Sequence, residues 1–173
     1  TCIKTADGQM YKEYLEKGLE ETGLTVADLD GLVLLYNTSE SHKKIAQVVQ
    51  QMWQETLGFT VQLENVDFNV KLDREKEHDF DISRAGWVGD YADPMTMLDL
   101  FVTDGPFNDC GYSNPAYDEL ITRAKQSADQ EVRMESMREA EAILMEDMPI
   151  IPVYFYTQPY LVKNYVDGVY KPL

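Results

Sequence analysis

Leu32-Val33-Leu34-Leu35-Tyr36-Asn37-Thr38-Ser39-Glu40-Ser41 is the stretch that decides the fold. Its first five residues are apolar without interruption, as in a strand buried on both faces. The next five are rich in side chains that cap helices. A helical pattern follows from about His42 to Leu57, with Ile45, Val48, Val49, Met52 and Trp53 as its buried stripe and Gly58 at its end. Phe59, Val61 and Leu63 then alternate with polar residues as a second strand. Strand, helix and strand in this order predict a right-handed crossover between parallel strands. The fold class is therefore α/β.

Working outward, residues Asp7 to Thr22 read as a helix with Tyr11, Tyr14, Leu15 and Leu19 on one face, Asp7 as N-cap and Gly23 just past the end. Asp67 to Lys76 is charged and predicts a short exposed helix or loop, and Phe80 to Trp87 a third strand. Met95 to Phe101 fits a short helix after Pro94, and Thr103 to Ser113 a loop. Asn114 and Pro115 open a helix whose face carries Tyr117, Leu120, Ile121 and Ala124. Ser127 and Gln130 have capping-box spacing and open another, with Met137, Ala140, Leu144 and Met148 inward, stopped by Pro149. Ile150 to Tyr156 is β-like; Gln158-Pro159 breaks it before Tyr160 to Val166.

Composition narrows the function classes. The chain has 173 residues, 44% of them hydrophobic, with 31 acidic against 15 basic side chains and a net charge of -16. Nucleic acid is a poor partner for such a surface, because phosphate binding needs clustered Lys and Arg. Solubility accounts for the charge, and a cationic ligand would also suit it. No apolar run reaches transmembrane length. No signal-peptide pattern is visible at Thr1. The two cysteines, Cys2 and Cys110, could form a disulfide, which the sequence leaves open. A lipidated Cys would be the first residue, so Cys2 reads as an ordinary one.

The third predicted strand runs into Arg84-Ala85-Gly86-Trp87-Val88-Gly89-Asp90-Tyr91-Ala92-Asp93-Pro94. Ligands of open α/β sheets sit beyond the carboxyl ends of strands. A carboxylate there can pair with an ammonium, and a glycine lets a ligand's backbone approach closely. Asp79, Asp81, Asp90 and Asp93 also admit a metal site or a glycosidase pair. In so acidic a chain that signal is weak, and there is no metal-ligand spacing, phosphate loop or nucleophile elbow beside it.

The wording of this motif resembles the oligopeptide-binding proteins of ABC importers, extracellular solute-binding proteins of the peptide/nickel-binding family. Tyr36-Asn37-Thr38-Ser39 with His42-Lys43-Lys44, Ser113-Asn114-Pro115-Ala116-Tyr117-Asp118, and Pro149 through Leu161 are similar to the same family in order and spacing. Its members are longer, and the match is to their C-terminal third. The resemblance implies one lobe of a two-lobed, periplasmic-binding-protein-like fold: an α/β domain with a mixed sheet, a βαβ unit and flanking helices over residues 1–149. Residues 150–173 would be strands that return toward the first lobe.

The resemblance also implies roles. Asp90 would pair with a peptide's α-ammonium; on residues alone it could equally cap a backbone N–H. Gly86 and Val88 would pair with the peptide main chain as an added strand does, which allows sequence-independent binding. Trp87 would line a side-chain pocket or pack in the core. Arg84 would receive the carboxylate of a short peptide, unless it pairs with Asp79, Asp81 or Asp93. His42, in a helix first turn, would assist Arg84 or simply be solvated. Tyr156 would lie near the peptide's N-terminus or serve strand packing. Where family members often carry Cys, this chain has Val88, so any disulfide there is lost.

The expected function is extracytoplasmic capture of oligopeptides by closure of two lobes, for delivery to ABC permease subunits. The expected partners are the peptide, the permease and the remaining lobe. Contact with the membrane would come only through an anchor or permease outside this chain, a lipid anchor if the source is Gram-positive. No cofactor, no metal and no catalytic residue are expected. A sugar or nickel-complex binder and a carboxylate-dependent hydrolase are the alternatives.

Overall fold

In the computed structural model, which describes residues 10–157 and 159–168, the apolar run forms β1 (Val33–Asn37) at the centre of a sheet. Its neighbours are β2 (Gln62–Val66) on one side and β3 (Ile82–Ser83) on the other, in the order β2-β1-β3. All three are parallel, with Leu35 opposite Glu64 in β2 and Ser83 in β3. Among the described residues the sheet is thus parallel rather than mixed. Leu34, Leu35 and Tyr36 are buried, as a central strand covered on both faces requires.

The crossover from β1 to β2 is α2 (Glu40–Thr56). Ala46 is buried, and Val49 and Trp53 pack with it against Leu34, Tyr36, Phe59 and Val61. The expected stripe is therefore narrower than predicted: Val48 and Met52 point outward, more than half exposed. The helix ends where the Gly58 amide reaches the Trp53 carbonyl with φ +84°, a conformation open to glycine and strained for other residues. Phe59 and Val61 are buried, but they precede β2 and form the approach to it.

α3 (Phe68–Lys76) starts at Asp67, whose carboxylate accepts from the Asn69 amide. Most of it is exposed, as its charges predict, with two exceptions. Lys71 and Glu75 are each only 4% exposed and form an ion pair with one another. One turn apart, the two charges satisfy each other and enter the interior as a neutral unit. β3 is also shorter than the eight residues expected. It holds two ladder positions, and one further bond, from the Arg84 amide to the Leu35 carbonyl, follows them.

The chain divides into two compact units. One runs to Trp87 and includes Asp109–Gly111; the other is Val88–Asn108 with the chain from Tyr112 onward. α1 (Met10–Thr22) belongs to the first, and the expected N-cap Asp7 and Cys2 lie outside the described residues.

The second unit is helical. α4 (Met95–Leu98) leads into a 3-10 turn, Asp99–Phe101. α5 (Pro115–Gln126) is capped by the Asn114 carboxamide, which accepts from the Ala116 and Tyr117 amides. α6 (Gln130–Asp147) is capped by Asp129 rather than by the expected Ser127. Ser127 instead exchanges hydrogen bonds with the Asp129 backbone and holds the cap in place. Met95, Leu98, Tyr117, Ile121, Ala124, Met137, Ala140 and Leu144 make the core, and the Tyr117 hydroxyl donates to the Leu98 carbonyl. Met148, expected inward, closes α6 in a left-handed conformation (φ +47°) and is exposed. The predicted strand Ile150 to Tyr156 joins no ladder among the described residues; Ile151, Val153 and Phe155 are exposed.

Candidate functional site

The motif residues divide between the two units: Arg84, Gly86 and Trp87 fall in the first, Val88 and Asp90 in the second. In the first unit the carboxyl ends of β1 and β3 supply Asn37 and Arg84. His42, in the first turn of α2, directs Nδ1 at the Asn37 side-chain oxygen, 2.9 Å away. With Nδ1–H donating, Nε2 is left as an acceptor. Partial burial, then the charge of Arg84 and, less strongly, of Lys71 lower the His42 pKa from its ordinary 6.5, opposed by a hydrogen bond to the Asn37 backbone. Arg84 and His42, expected to act together, lie close enough for the Arg84 charge to disfavour the protonated imidazole.

The three carboxylates that could have claimed Arg84 have other donors. Asp79 pairs with Arg74 at 3.0 Å, Asp81 accepts from the Val33 amide at 2.9 Å, and Asp93 takes both guanidinium nitrogens of Arg133 at 2.7 Å. Past the bond from the Arg84 amide to Leu35, the backbone through Gly89 belongs to no helix or strand among the described residues. Ala85 and Gly86 are exposed, Val88 is exposed, and Trp87 is half-buried.

In the second unit the turn after Val88 is fixed by residues that sequence reasoning missed. The Asp90 amide donates to the Thr96 hydroxyl at 3.0 Å, and Thr96 is buried. A Cβ on Gly89 would lie 3.0 Å from the Thr96 methyl, so glycine permits that approach. The Asp90 carboxylate is exposed and makes no hydrogen bond or ion pair among the described residues. Asp93, three residues on, is fully engaged: besides Arg133 it accepts from the Met95 amide, opening α4. Nothing in the sequence marks Arg133, forty residues away, as its partner. Tyr156 also lies in this unit, its ring edge-on to that of Tyr154.

Arg133 first, and then the Met95 amide, hold the Asp93 carboxyl below its ordinary 3.8. A group whose folded pKa is depressed adds stability above its unfolded pKa and loses it as pH falls through the folded one. Acidification below pH 4 should therefore weaken the second unit. Asp93→Asn should be less stable at pH 7 and lose less on acidification. Parallel acid titrations of the two proteins by circular dichroism check this, and superimposable transitions would refute the assignment.

A model of the Bacterial extracellular solute-binding proteins, family 5 Middle, matches residues 7–109. This chain belongs to that family. The oligopeptide-binding protein OppA of Bacillus subtilis is 42% identical over 172 residues, 98% of this chain and 32% of that protein. The periplasmic oligopeptide-binding protein OppA of Salmonella typhimurium is 39% identical over 160 residues, 92% of this chain and 30% of its own length. The solved structure of Haemophilus influenzae OppA in complex with RPPGFSPFR matches with a TM-score of 0.83 and 33% identity, over 93% of this chain and 32% of that one. This family 5 chain thus spans about a third of the length of the curated relatives it matches. No helix among its described residues is long and apolar enough to cross a membrane.

Proposed function

We propose that this chain forms part of the peptide site of an ABC importer's extracytoplasmic binding protein. The observation that carries the reading is the segment Gly86 to Asp90: among the described residues its backbone belongs to no strand or helix, and the Asp90 carboxylate that closes it makes no hydrogen bond or ion pair. Such backbone is suited to accept a peptide as an added strand through Gly86 and Val88, with Trp87 as a side-chain wall. Asp90 receives the peptide's α-ammonium, and Tyr156 lies toward that end. Arg84 receives the carboxylate of a short peptide. His42 joins it by taking up a proton, since a neutral imidazole with its Nδ1–H engaged offers an anion only a lone pair. No covalent step is needed, so neither a hydrolase nor a cofactor enters the reading. The relatives named for peptides support a peptide over a sugar or a nickel complex.

The remaining lobe supplies the opposite wall, and residues 150–173 return to it. The exposed apolar side chains from Ile151 to Phe155, in a segment of β-like sequence that joins no ladder among the described residues, support that assignment. Delivery to permease subunits, residence outside the cytoplasm and a lipid anchor in a Gram-positive source complete the proposal.

The test is to titrate short unmodified peptides into the chain while following amide shifts. On one open wall the ammonium–Asp90 pair stays solvated and contributes only about 0–1 kcal/mol. Shifts over Arg84 to Asp90 with a millimolar or weaker dissociation constant, about -4 kcal/mol or less favourable, are expected. Micromolar one-to-one binding would show that a second wall is unnecessary; no shift at any concentration would remove the peptide reading.

A further inference from the structure

The buried ion pair of α3 has a third partner. Glu75 Oε1, which bonds Lys71 Nζ, also accepts from the Ser83 hydroxyl at 2.6 Å. Ser83 is the last residue of β3, and Arg84 follows it. β3 has only two ladder positions, too few to fix the direction in which the chain leaves the sheet. Glu75 cannot shift to relieve a strain at Ser83 without stranding the Lys71 charge in the interior. The ion pair therefore acts as a rigid post, and the hydroxyl ties the end of β3 to it.

We propose that Glu75, held by Lys71, is a positioning residue for the segment that begins at Arg84: it sets where that segment departs from the sheet. As a positioning role for a peptide-binding strand, the inference rests on the function proposed above. Glu75 does not touch the ligand; it acts through Ser83 on the Arg84 amide, which donates to the Leu35 carbonyl at 2.8 Å. Two other charged or titratable neighbours share the surroundings. Asp109 lies close enough to Glu75 and Lys71 to feel both charges, and burial raises its pKa. His78 holds the Asp109 carbonyl through Nδ1, 3.0 Å away.

Removing Glu75 itself would leave Lys71 uncompensated and threaten the fold, so the decisive variant is Ser83→Ala. It deletes the tie and leaves the ion pair intact. The readout is amide hydrogen exchange in the whole chain without peptide. The Arg84 amide should exchange about tenfold faster, as expected for loss of one hydrogen bond to a charged acceptor. The Gln62 and Thr38 amides, which bond the Leu32 and Val66 carbonyls in the same sheet, should keep their rates. Ser83→Thr, which restores a hydroxyl, should return Arg84 toward the wild-type rate. An unchanged Arg84 rate, or an equal acceleration at Gln62 and Thr38, would overturn the positioning role, because a general loosening moves all three together. Exchange is read without ligand. A wild-type chain whose Arg84 to Asp90 amides ignore every peptide would therefore overturn the binding half of the inference, whatever the exchange rates show.

Discussion

Asp90→Ala in the complete binding protein should weaken peptide binding by more than tenfold. The reason is a contrast within one motif. Asp93 is consumed by Arg133 and the start of α4, while the Asp90 carboxylate is left exposed next to a backbone anchored by Thr96. If closure buries that carboxylate against an ammonium, truncating one partner costs on the order of 2–5 kcal/mol. The other partner can be removed from the ligand instead: an N-acetylated peptide should lose a comparable amount against the wild-type protein. The two losses should not add, since they delete the same pair. Calorimetry on the four combinations checks this. Equal affinity for free and acetylated peptides would take Asp90 out of its assigned role, as would full additivity.

Glu75→Ala should destabilise the first unit by about 3–5 kcal/mol, because it leaves an uncompensated ammonium in the interior. Lys71 and Glu75 are both nearly inaccessible, so water cannot screen the loss. Replacing both residues by apolar ones of similar size, Lys71→Met with Glu75→Leu, should recover most of that stability, since desolvating the pair offsets much of its attraction. Denaturant unfolding followed at Trp53, which lies in this unit's core beside Phe59, reads the difference. A single variant costing less than about 1 kcal/mol, the range of surface pairs, would mean that the pair is effectively solvated.

The parts of the fold legible in the sequence are those governed by local rules. The uninterrupted run from Leu32 to Tyr36 gave away a central strand, and Asn114-Pro115 gave the start of α5, because burial and capping act over a few residues. The failures share a cause: what surrounds a segment in space, rather than its own composition, decided the outcome. Ile150 to Tyr156 has strand composition, but a strand needs a neighbour to pair with. Phe80 to Trp87 reads as one strand, yet its ladder stops after Ser83. Lys71 and Glu75 look like surface charges until each is seen as the other's counter-ion. In the site, the motif identified the candidate residues; the supports at Thr96, Gly89 and Arg133 arise from contacts made only in the folded chain.

The chain passes from one unit to the other after Trp87, back before Asp109, and out again after Gly111. Neither unit can therefore be excised as an uninterrupted stretch. A truncation ending at Trp87 would discard the Asp109 carbonyl that His78 holds, and one starting at Val88 would carry three residues whose packing neighbours are gone. After a nick at the peptide bond between Trp87 and Val88, the stretch ending at Trp87 would keep Asp109–Gly111 only through non-covalent contacts such as that of His78 with the Asp109 carbonyl. Genetic dissection of this protein is best done by deleting the Asp109–Gly111 excursion and bridging its flanks, with a design that gives His78 a replacement acceptor.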